Sequence, residues 1–342
     1  MKQLGFGCEL ETDELQDLFD DPAVLETLAK LDAGVALSIT DLSDERAAVV
    51  RRLNEAGIPL GAWLVLPRAD GYWFHAGNAP QATARYAAFK AWTARHELEW
   101  EGIGLDIEPD MNEIQRLRGQ GRWPTVRLML RRAFDHYRLA HAERAYATLV
   151  AQIRADGYRV ETFQFPFMVD ERKAGSALLQ RMLGLVDLKA DRELLMLYST
   201  FAPPIGDGML WSYAPEAEGV IVGITGPGVE PEGSLVPLTW DLFARDLRLA
   251  AHWHDEVFIY SLEGCVRQGF LERLVDFDWE APFEPPVRTT RQVNAARKAL
   301  QAVLWAGARP SLLLAGALGV VQVASWLCRL GGRRRVPATT GG

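Results

Sequence analysis

Two carboxylic acids, Asp106 and Glu108, lie two residues apart at the end of a short apolar run, Gly102–Glu108. Side chains alternate between the two faces of a β-strand, so this spacing places both carboxyls on one face, together with Gly104. Neighbouring carboxyls in an apolar environment repel each other, which raises the pKa of one and makes it a general acid near neutral pH. We expect Glu108 to be the protonated acid and Asp106 to be ionised beside it.

Further candidate residues stand at the ends of similar runs. Glu9 follows the first run, Gln164 ends the fifth, and Glu263 follows the eighth on the face of Ile259 and Ser261. We predict that Glu9 and Gln164 contact a substrate, and that Glu263 is a nucleophile paired with Glu108. Structural interpretations stay open, because the helix dipole stabilises an acid in the first turn of a helix and Glu9 can be a structural acid.

The elements that would position these residues are eight short apolar runs separated by helical patterns. This alternation predicts βαβ units, and eight of them indicate an α/β fold, the (β/α)8 or TIM barrel, with functional residues at the carboxyl ends of its strands. The stretch 200–218 is rich in Pro and Gly and predicts a degenerate crossover or a long loop. The predicted strands are Leu4–Leu10, Gly34–Ile39, Leu60–Leu66, Gly102–Glu108, Arg159–Phe165, Leu194–Tyr198, Gly219–Ile224 and Glu256–Leu262.

The octet 101–108, EGIGLDIE, resembles the strand-four signature of the family 18 glycoside hydrolases, the chitinases and their relatives, which reads DGIDLDIE or close to it. The resemblance implies that Glu108 is the proton donor and that Asp106 assists the N-acetyl group of a carbohydrate substrate. Residues 196–199, MLYS, are similar to the family's strand-six motif, Met-x-Tyr-Asp. This second motif implies that Tyr198 contacts the N-acetyl oxygen. The resemblance covers the two motifs and the barrel plan.

The sequence also departs from the family pattern. Glu101 and Gly104 stand where the family has Asp, Ser199 replaces the strand-six Asp, and the run FIYSLEG lacks the usual strand-eight Trp. These departures leave open a barrel that binds carbohydrate without catalysis. The lysozyme-like hydrolases of family 25 have a similar strand, so the octet does not choose between the two families.

Aromatic side chains, whose faces bind the apolar faces of sugars, are frequent near the predicted strand ends. Trp63 lies in strand three and Trp211 between strands six and seven, and we predict that both contact the substrate. Tyr72 and Trp73 follow strand three. Packing in the core is the common alternative for each of these residues.

A metal-dependent barrel of the sugar isomerase type is a third interpretation, in which Glu9, Glu108 and Glu263 would bind a hard cation through oxygen. Barrels of that type also place histidines at the strand ends. The six histidines of this chain fall in loops or helical segments instead. We therefore predict neither a metal nor another cofactor.

Residues 310–328, PSLLLAGALGVVQVASWLC, contain no charged side chain. A helix of this length spans about 28 Å, which is close to the thickness of the hydrocarbon core of a bilayer. Arg309 and Arg329 flank the segment, and Trp305 and Trp326 lie near its two ends, where the membrane interface favours tryptophan. These features predict a C-terminal transmembrane helix, with a buried or dimer-forming helix as the alternative.

The predicted organisation is a barrel domain over 1–280, a proline-rich linker and amphipathic helix over 281–309, the transmembrane helix over 310–328 and a basic disordered tail over 329–342. The amino terminus lacks the apolar run of a signal peptide, so we expect membrane insertion after translation and a cytoplasmic barrel. The net charge of −8, with acids and bases interleaved, disfavours a nucleic-acid partner. The predicted partners are a carbohydrate and a membrane.

Overall fold

The computed structural model describes residues 2–120, 122–223 and 238–309, without the side chains of 117–122. Eight parallel strands follow one another around a closed barrel in chain order, and the last pairs with the first. This arrangement confirms the predicted (β/α)8 architecture. The strands are β1 Gln3–Cys8, β2 Gly34–Ile39, β3 Leu60–Leu64, β4 Gly102–Asp106, β5 Arg159–Gln164, β6 Arg192–Met196, β7 Gly219–Gly223 and β8 Glu256–Tyr260.

Helices cover the outside of the barrel, and side-chain caps begin several of them. Before the third helix, for example, Ser43 Oγ accepts a hydrogen bond of 3.2 Å from the backbone N–H of Arg46. The helices are α1 Thr12–Asp20, α2 Pro22–Lys30, α3 Asp44–Glu55, α4 Ala79–His96, α5 Met111–Gln120, α6 Arg122–Ala133, α7 His136–Ala155, α8 Phe167–Ala174, α9 Leu178–Leu183, α10 Gly206–Tyr213, α11 Trp240–Ala251, α12 Leu262–Arg267, α13 Leu271–Val275 and α14 Val287–Gly307.

The stretch 200–218, expected to be a degenerate crossover or a loop, contains the eight-residue helix α10. Two of its glycines allow very close packing. A Cβ added at Gly206 would lie 1.9 Å from the backbone oxygen of Ser199, and one at Gly208 would lie 2.4 Å from the backbone carbon of Thr289 in α14. Tertiary packing therefore stabilises a helix that the composition disfavours.

The predicted register of β4 is confirmed. Three apolar residues of this segment are buried between the barrel and the helices: Ile103, Leu105 and Ile107. Gly104 and Asp106 alternate with them and face the barrel interior. A Cβ at Gly104 would lie 3.0 Å from Phe163 Cζ, so the glycine makes room for this ring inside the barrel.

Charged residues fill the amino end of the barrel. The guanidinium of Arg192 lies 2.7 Å from a carboxylate oxygen of Glu256 and 3.7 Å from one of Glu161. It also lies 5.2 Å from the centre of the Phe258 ring, which covers Gly5. The candidate carboxylates of the sequence analysis belong to the opposite end.

Helix α14 packs against α8 and α10. Arg297 of α14 is buried, and its Nε donates to Asp170 Oδ1 of α8 at 3.0 Å, while its guanidinium lies 3.8 Å from the centre of the Tyr213 ring. Gln301 Nε2 donates to the same Asp170 oxygen at 2.7 Å. Because an unpaired buried charge is strongly destabilising, this ion pair makes α14 part of the packed structure around the barrel.

Residues 310–328, predicted to form a transmembrane helix, and the tail 329–342 lie outside the described residues. Within the part of the chain that the structure describes, no helix combines the length and the apolar character that crossing a bilayer requires. The domain boundaries drawn from the sequence stay a prediction.

Candidate active site at the carboxyl ends of the strands

Glu9 follows β1 and is buried at the carboxyl end of the barrel. The Tyr72 hydroxyl donates to its Oε1 at 2.6 Å, and the Tyr260 hydroxyl donates to its Oε2. Burial penalises the charged form and raises the pKa of Glu9 from 4.5 to about 7; the two tyrosine hydrogen bonds lower the pKa in part, and the charge of Glu263 raises it. Glu9 therefore titrates in the range where a general acid or base works.

Tyr72 reaches Glu9 from the loop after β3. Its backbone lies in the left-handed region, with φ 63°, which residues other than glycine rarely adopt. The guanidinium of Arg68 lies 5.6 Å from the centre of its ring. Unfavourable backbone conformations concentrate at functional sites, where the surrounding structure maintains them. The conformation of Tyr72 thus agrees with a functional role for the pair that it forms with Glu9.

Asp106, the last residue of β4, is almost completely buried on the inward face. Burial raises its pKa well above the ordinary value, and the negative charge of Glu9 raises it further. The nearby Trp63 indole lowers the pKa of Asp106 in part. Neither Trp63 Nε1 nor Asp106 Oδ1 has a hydrogen-bond partner of good geometry among the described residues. A raised pKa favours the protonated form of Asp106, whereas the sequence predicts that Asp106 is ionised.

Glu108 and Tyr198 complete this group. Glu108 is half-buried just after β4, and its backbone N–H donates to the Phe74 carbonyl at 3.0 Å. Tyr198 is buried after β6, and burial raises its pKa, as do the charges of Glu108, Asp106 and Glu9. The structure therefore brings together Glu9, Asp106, Glu108 and Tyr198 at one end of the barrel.

Aromatic rings surround these carboxyls. Trp63 of β3 meets Phe163 edge to face at 5.7 Å and Tyr260 at 6.1 Å between ring centres. The Tyr198 ring lies 6.0 Å from that of Tyr260. Ser38, the register partner of Trp63 on β2, has a buried hydroxyl without a hydrogen-bond partner among the described residues. Together with Trp63 Nε1 and Asp106 Oδ1, it gives the interior several polar atoms with free hydrogen-bonding capacity.

Glu263 lies at the rim between β8 and β1, whereas Glu108 follows β4 across the barrel. Its carboxyl accepts hydrogen bonds from the Ser261 side chain and the backbone N–H of Glu9, and its charge raises the pKa of the buried Cys8 thiol, for which burial is the main cause. The expectation that Glu263 shares a strand face with Ser261 was wrong, because β8 ends at Tyr260 and α12 begins at Leu262. Its contacts fit the structural interpretation, since it supports the segment that bears Glu9.

Two predicted substrate contacts lie away from the group. Gln164 of β5 is fully buried on the face opposite Phe163, and its Nε2 donates to the Val186 carbonyl at 3.2 Å in the helix layer. Trp211 of α10 packs against other rings, with centres 4.9 Å from His252, 5.2 Å from Trp253 and 5.8 Å from Phe283. His252 and Trp253 precede β8, so this cluster lies towards the amino end of the barrel.

The sequence analysis missed three features of the site. Tyr260 was not selected, although it shares a strand face with Phe258 of β8. Tyr72 was noted only as a loop aromatic, because no periodicity indicates where a loop side chain points. Ser38 was missed because a single serine in an apolar strand gives no signal of its own. The alternation of β8 could have revealed Tyr260.

Among residues 2–120, 122–223 and 238–309, no group of three or more His, Cys, Asp or Glu side chains has an arrangement that could hold a metal ion.

The fold and site define a closed (β/α)8 barrel with buried carboxyls at the carboxyl ends of its strands. No protein-family model and no curated protein matches the chain. Among solved structures it is similar to a chitinase from Chromobacterium violaceum ATCC 12472, with 15% identity, a TM-score of 0.43 and coverage of 79% of this chain and 99% of that chain. It is also similar to a GH5-4 broad specificity endoglucanase from an uncultured bacterium, with 13% identity, a TM-score of 0.44 and coverage of 75% and 84%.

A third similar structure is D-psicose 3-epimerase from Clostridium cellulolyticum H10, with 12% identity, a TM-score of 0.41 and coverage of 88% of this chain and 99% of that chain. The similar barrels thus include glycoside hydrolases and sugar epimerases. The assignment of the fold rests on the strand order of the chain itself.

Proposed function

We propose that this chain is a glycoside hydrolase-like barrel of the family 18 plan, in which Glu108 donates a proton to the glycosidic oxygen of an N-acetylated glycan. The observation that supports this proposal is the group of three carboxyls and Tyr198 at the carboxyl end of the barrel. Glu108 is the accessible member of the group, whereas Asp106 and Glu9 are buried behind it. An accessible acid in front of buried acids suits proton donation to a bound sugar.

The raised pKa values of Asp106 and Glu9 give the buried acids a specific part in this proposal. Because each carboxyl is desolvated and Asp106 lies near the charge of Glu9, the pKa values of both are raised, which favours the protonated form of each. In this proposal a protonated carboxyl of the pair donates a hydrogen bond to a substrate hydroxyl. The Tyr198 hydroxyl lies beside the same carboxyls, where it would contact the acetamido group.

Replacement of Glu108 by Gln tests the proposal, because it removes the proton and keeps the shape of the side chain. We expect turnover of aryl glycosides to fall by about 10²–10⁴, while sugar binding is spared. Asp106→Asn should reduce turnover of substrates with an N-acetyl group more than of those without it. Glu263→Gln should be mild, since Glu263 supports the β1 end from outside the group.

Glu101→Gln is the matched control, because Glu101 is an exposed acid just before β4. A panel of aryl glycosides with and without N-acetyl groups provides the readout. Absence of cleavage across the panel, with sugar binding and stability unchanged in Glu108→Gln, would replace this proposal by the binding barrel.

A non-catalytic barrel that binds carbohydrate is the second candidate, and the residues at two of the family's Asp positions favour it. The Ser199 hydroxyl, at the position of the family's strand-six Asp, is hydrogen-bonded to Asp246 of α11. At Gly104, another family Asp position, the space is taken by the Phe163 ring. Sugar binding by a chain that cleaves none of the panel would be the outcome expected of this candidate.

We also propose that residues 310–328 anchor the protein in a membrane as one helix, with the barrel in the cytoplasm. The proposal is supported by 19 consecutive uncharged residues flanked by Arg309 and Arg329. The full chain should then sediment with membranes and require detergent for extraction. A full chain that stays soluble without detergent would contradict the anchor, and digestion of the barrel by a protease outside intact cells would contradict the orientation.

A further inference from the structure

The surface of α6 and the turn after it exposes a row of large apolar side chains. The residues of this row, named here the α6 stripe, are Trp123, Val126, Leu130, Phe134 and Tyr137, with exposures from 43% to 83%. Spacings of three and four residues place Trp123, Val126 and Leu130 on one face of α6, and the exposed Phe134 and Tyr137 follow in the turn after α6 and at the start of α7. Single exposed apolar residues are ordinary, but a continuous row of this kind marks an interaction surface.

The other side of α6 is fixed to the rest of the protein. Arg132 Nη2 donates to Glu113 Oε1 of α5 at 2.7 Å, and Arg181 Nε of α9 donates to the Ala133 carbonyl at 2.6 Å. Helix α6 also packs along α9. The stripe therefore faces outward on a helix that is held in place.

Exposed arginines border the stripe. Arg127 and Arg131 follow Val126 and Leu130 directly, and both are exposed. A helix with tryptophan, valine and leucine on one side and arginines beside them is typical of segments that lie in the interface of a membrane. The arginines suit anionic headgroups, because the surface potential of such lipids is negative.

Helix α9 lies between the end of α14 and the end of α6. A Cβ at Gly307, at the end of α14, would lie 3.1 Å from Leu178 Cδ2 of α9. Arg181, which binds the end of α6, is three residues further along α9, or about 5 Å along its axis. Helix α9 therefore contacts both the end of α14 and the end of α6, the helix that carries most of the stripe.

We propose that the α6 stripe lies in the headgroup region of an anionic phospholipid membrane, as a second contact in addition to the membrane anchor proposed for residues 310–328, on which this inference rests. Trp123 and Phe134 would insert among the acyl chain ends, and Arg127 and Arg131 would contact lipid phosphates. This second contact fixes the tilt of the barrel at the membrane surface. The proposal is independent of the sugar chemistry, since it uses none of the residues of the candidate active site.

Site-directed spin labelling of the full chain tests the proposal. Leu130→Cys reports on the stripe, and Trp253→Cys is the matched control, because Trp253 is an exposed apolar residue towards the amino end of the barrel. Cys328→Ser removes the cysteine in the apolar segment, while Cys8 and Cys265 are buried. Phosphatidylcholine vesicles with and without phosphatidylglycerol are the probe, and circular dichroism melting verifies the fold of each variant.

With phosphatidylglycerol present, the label at position 130 should collide more with oxygen and less with a water-soluble nickel complex, and the ratio of the oxygen rate to the nickel rate should rise severalfold. The label at position 253 should not change. Protection of position 130 from both reagents would overturn the proposal, because it would mean that residues 310–328 or a second copy of the chain cover the stripe. Full access of the nickel complex to position 130 in vesicle-bound protein would overturn the stripe contact alone, whereas absence of any association with the vesicles would overturn the anchor and the stripe contact together.

Discussion

Replacement of Glu9 by Gln should make the protein less sensitive to rising pH. The pKa of Glu9 is raised from 4.5 to about 7, chiefly by burial. Between these pH values the carboxyl is protonated in the folded state and ionised in the unfolded state. The unfolded state then binds fewer protons, so the free energy of unfolding falls as the pH rises through this window.

The size of the effect follows from the same shift. Since one pKa unit corresponds to about 1.4 kcal/mol, a rise from 4.5 to about 7 corresponds to about 3 kcal/mol. Glu9→Gln removes this titration and also lowers the pKa of Asp106, because the charge of Glu9 is one cause of its rise. Both changes favour the variant at high pH. The stability of the wild type relative to Glu9→Gln should therefore fall by about 3 kcal/mol between pH values below 4.5 and above 7.

Urea unfolding of the full chain in detergent, followed by tryptophan fluorescence at a series of pH values, measures this difference. Glu14→Gln is the control, because Glu14 is an exposed carboxyl of α1 five residues further along the chain. It should unfold like the wild type at every pH. A constant difference between wild type and Glu9→Gln over the whole window would refute the reasoning, since Glu9 would then not titrate there.

The remaining predictions concern α14. Arg297→Met should lower the free energy of unfolding by about 3–5 kcal/mol in thermal or urea melts, because it leaves Asp170 as a buried charge without its charged partner. Lys298→Met, on the exposed side of the same helix, should be nearly neutral. Equal melting of the two variants would contradict the stabilising role of this ion pair. A chain that ends at Arg309 should fold and be soluble without detergent, whereas one that ends at Arg288 should lose cooperative unfolding in circular dichroism; a cooperative melt of the shorter chain would show that α14 is dispensable.

Much of the barrel could be predicted because its strands are short apolar runs with strict alternation. The register of β4 follows from that alternation alone, and it correctly separates Asp106 from the apolar residues that face the helices. The alternation of side chains no longer predicts their direction beyond the end of a strand. Glu263 was assigned by continuing the alternation past Tyr260, where the backbone already turns into α12.

Other parts of the site depend on contacts that no local pattern encodes. Gln164 was selected as a strand end, yet the inward face of β5 belongs to Phe163, which fits against Gly104 of the neighbouring strand. Tyr72 reaches Glu9 across 63 residues through one backbone conformation in a loop. The pKa of Asp106 depends on burial and on Glu9, and neither is visible in the octet that contains it.

Helix α14 would also determine how far the barrel could move from the membrane anchor proposed for residues 310–328. Arg309 Nη1 donates to the Ala174 carbonyl at 3.1 Å, so the chain is fastened to the barrel up to the residue before the apolar segment. A flexible segment over 281–309 would have a root-mean-square end-to-end distance of roughly 30 Å. Because α14 is packed against the barrel, this freedom of movement is lost. With residues 310–328 in a bilayer, the barrel would stay within a thin layer next to the membrane surface. Its rate of encounter with a substrate would then depend on lateral diffusion of the protein in the membrane.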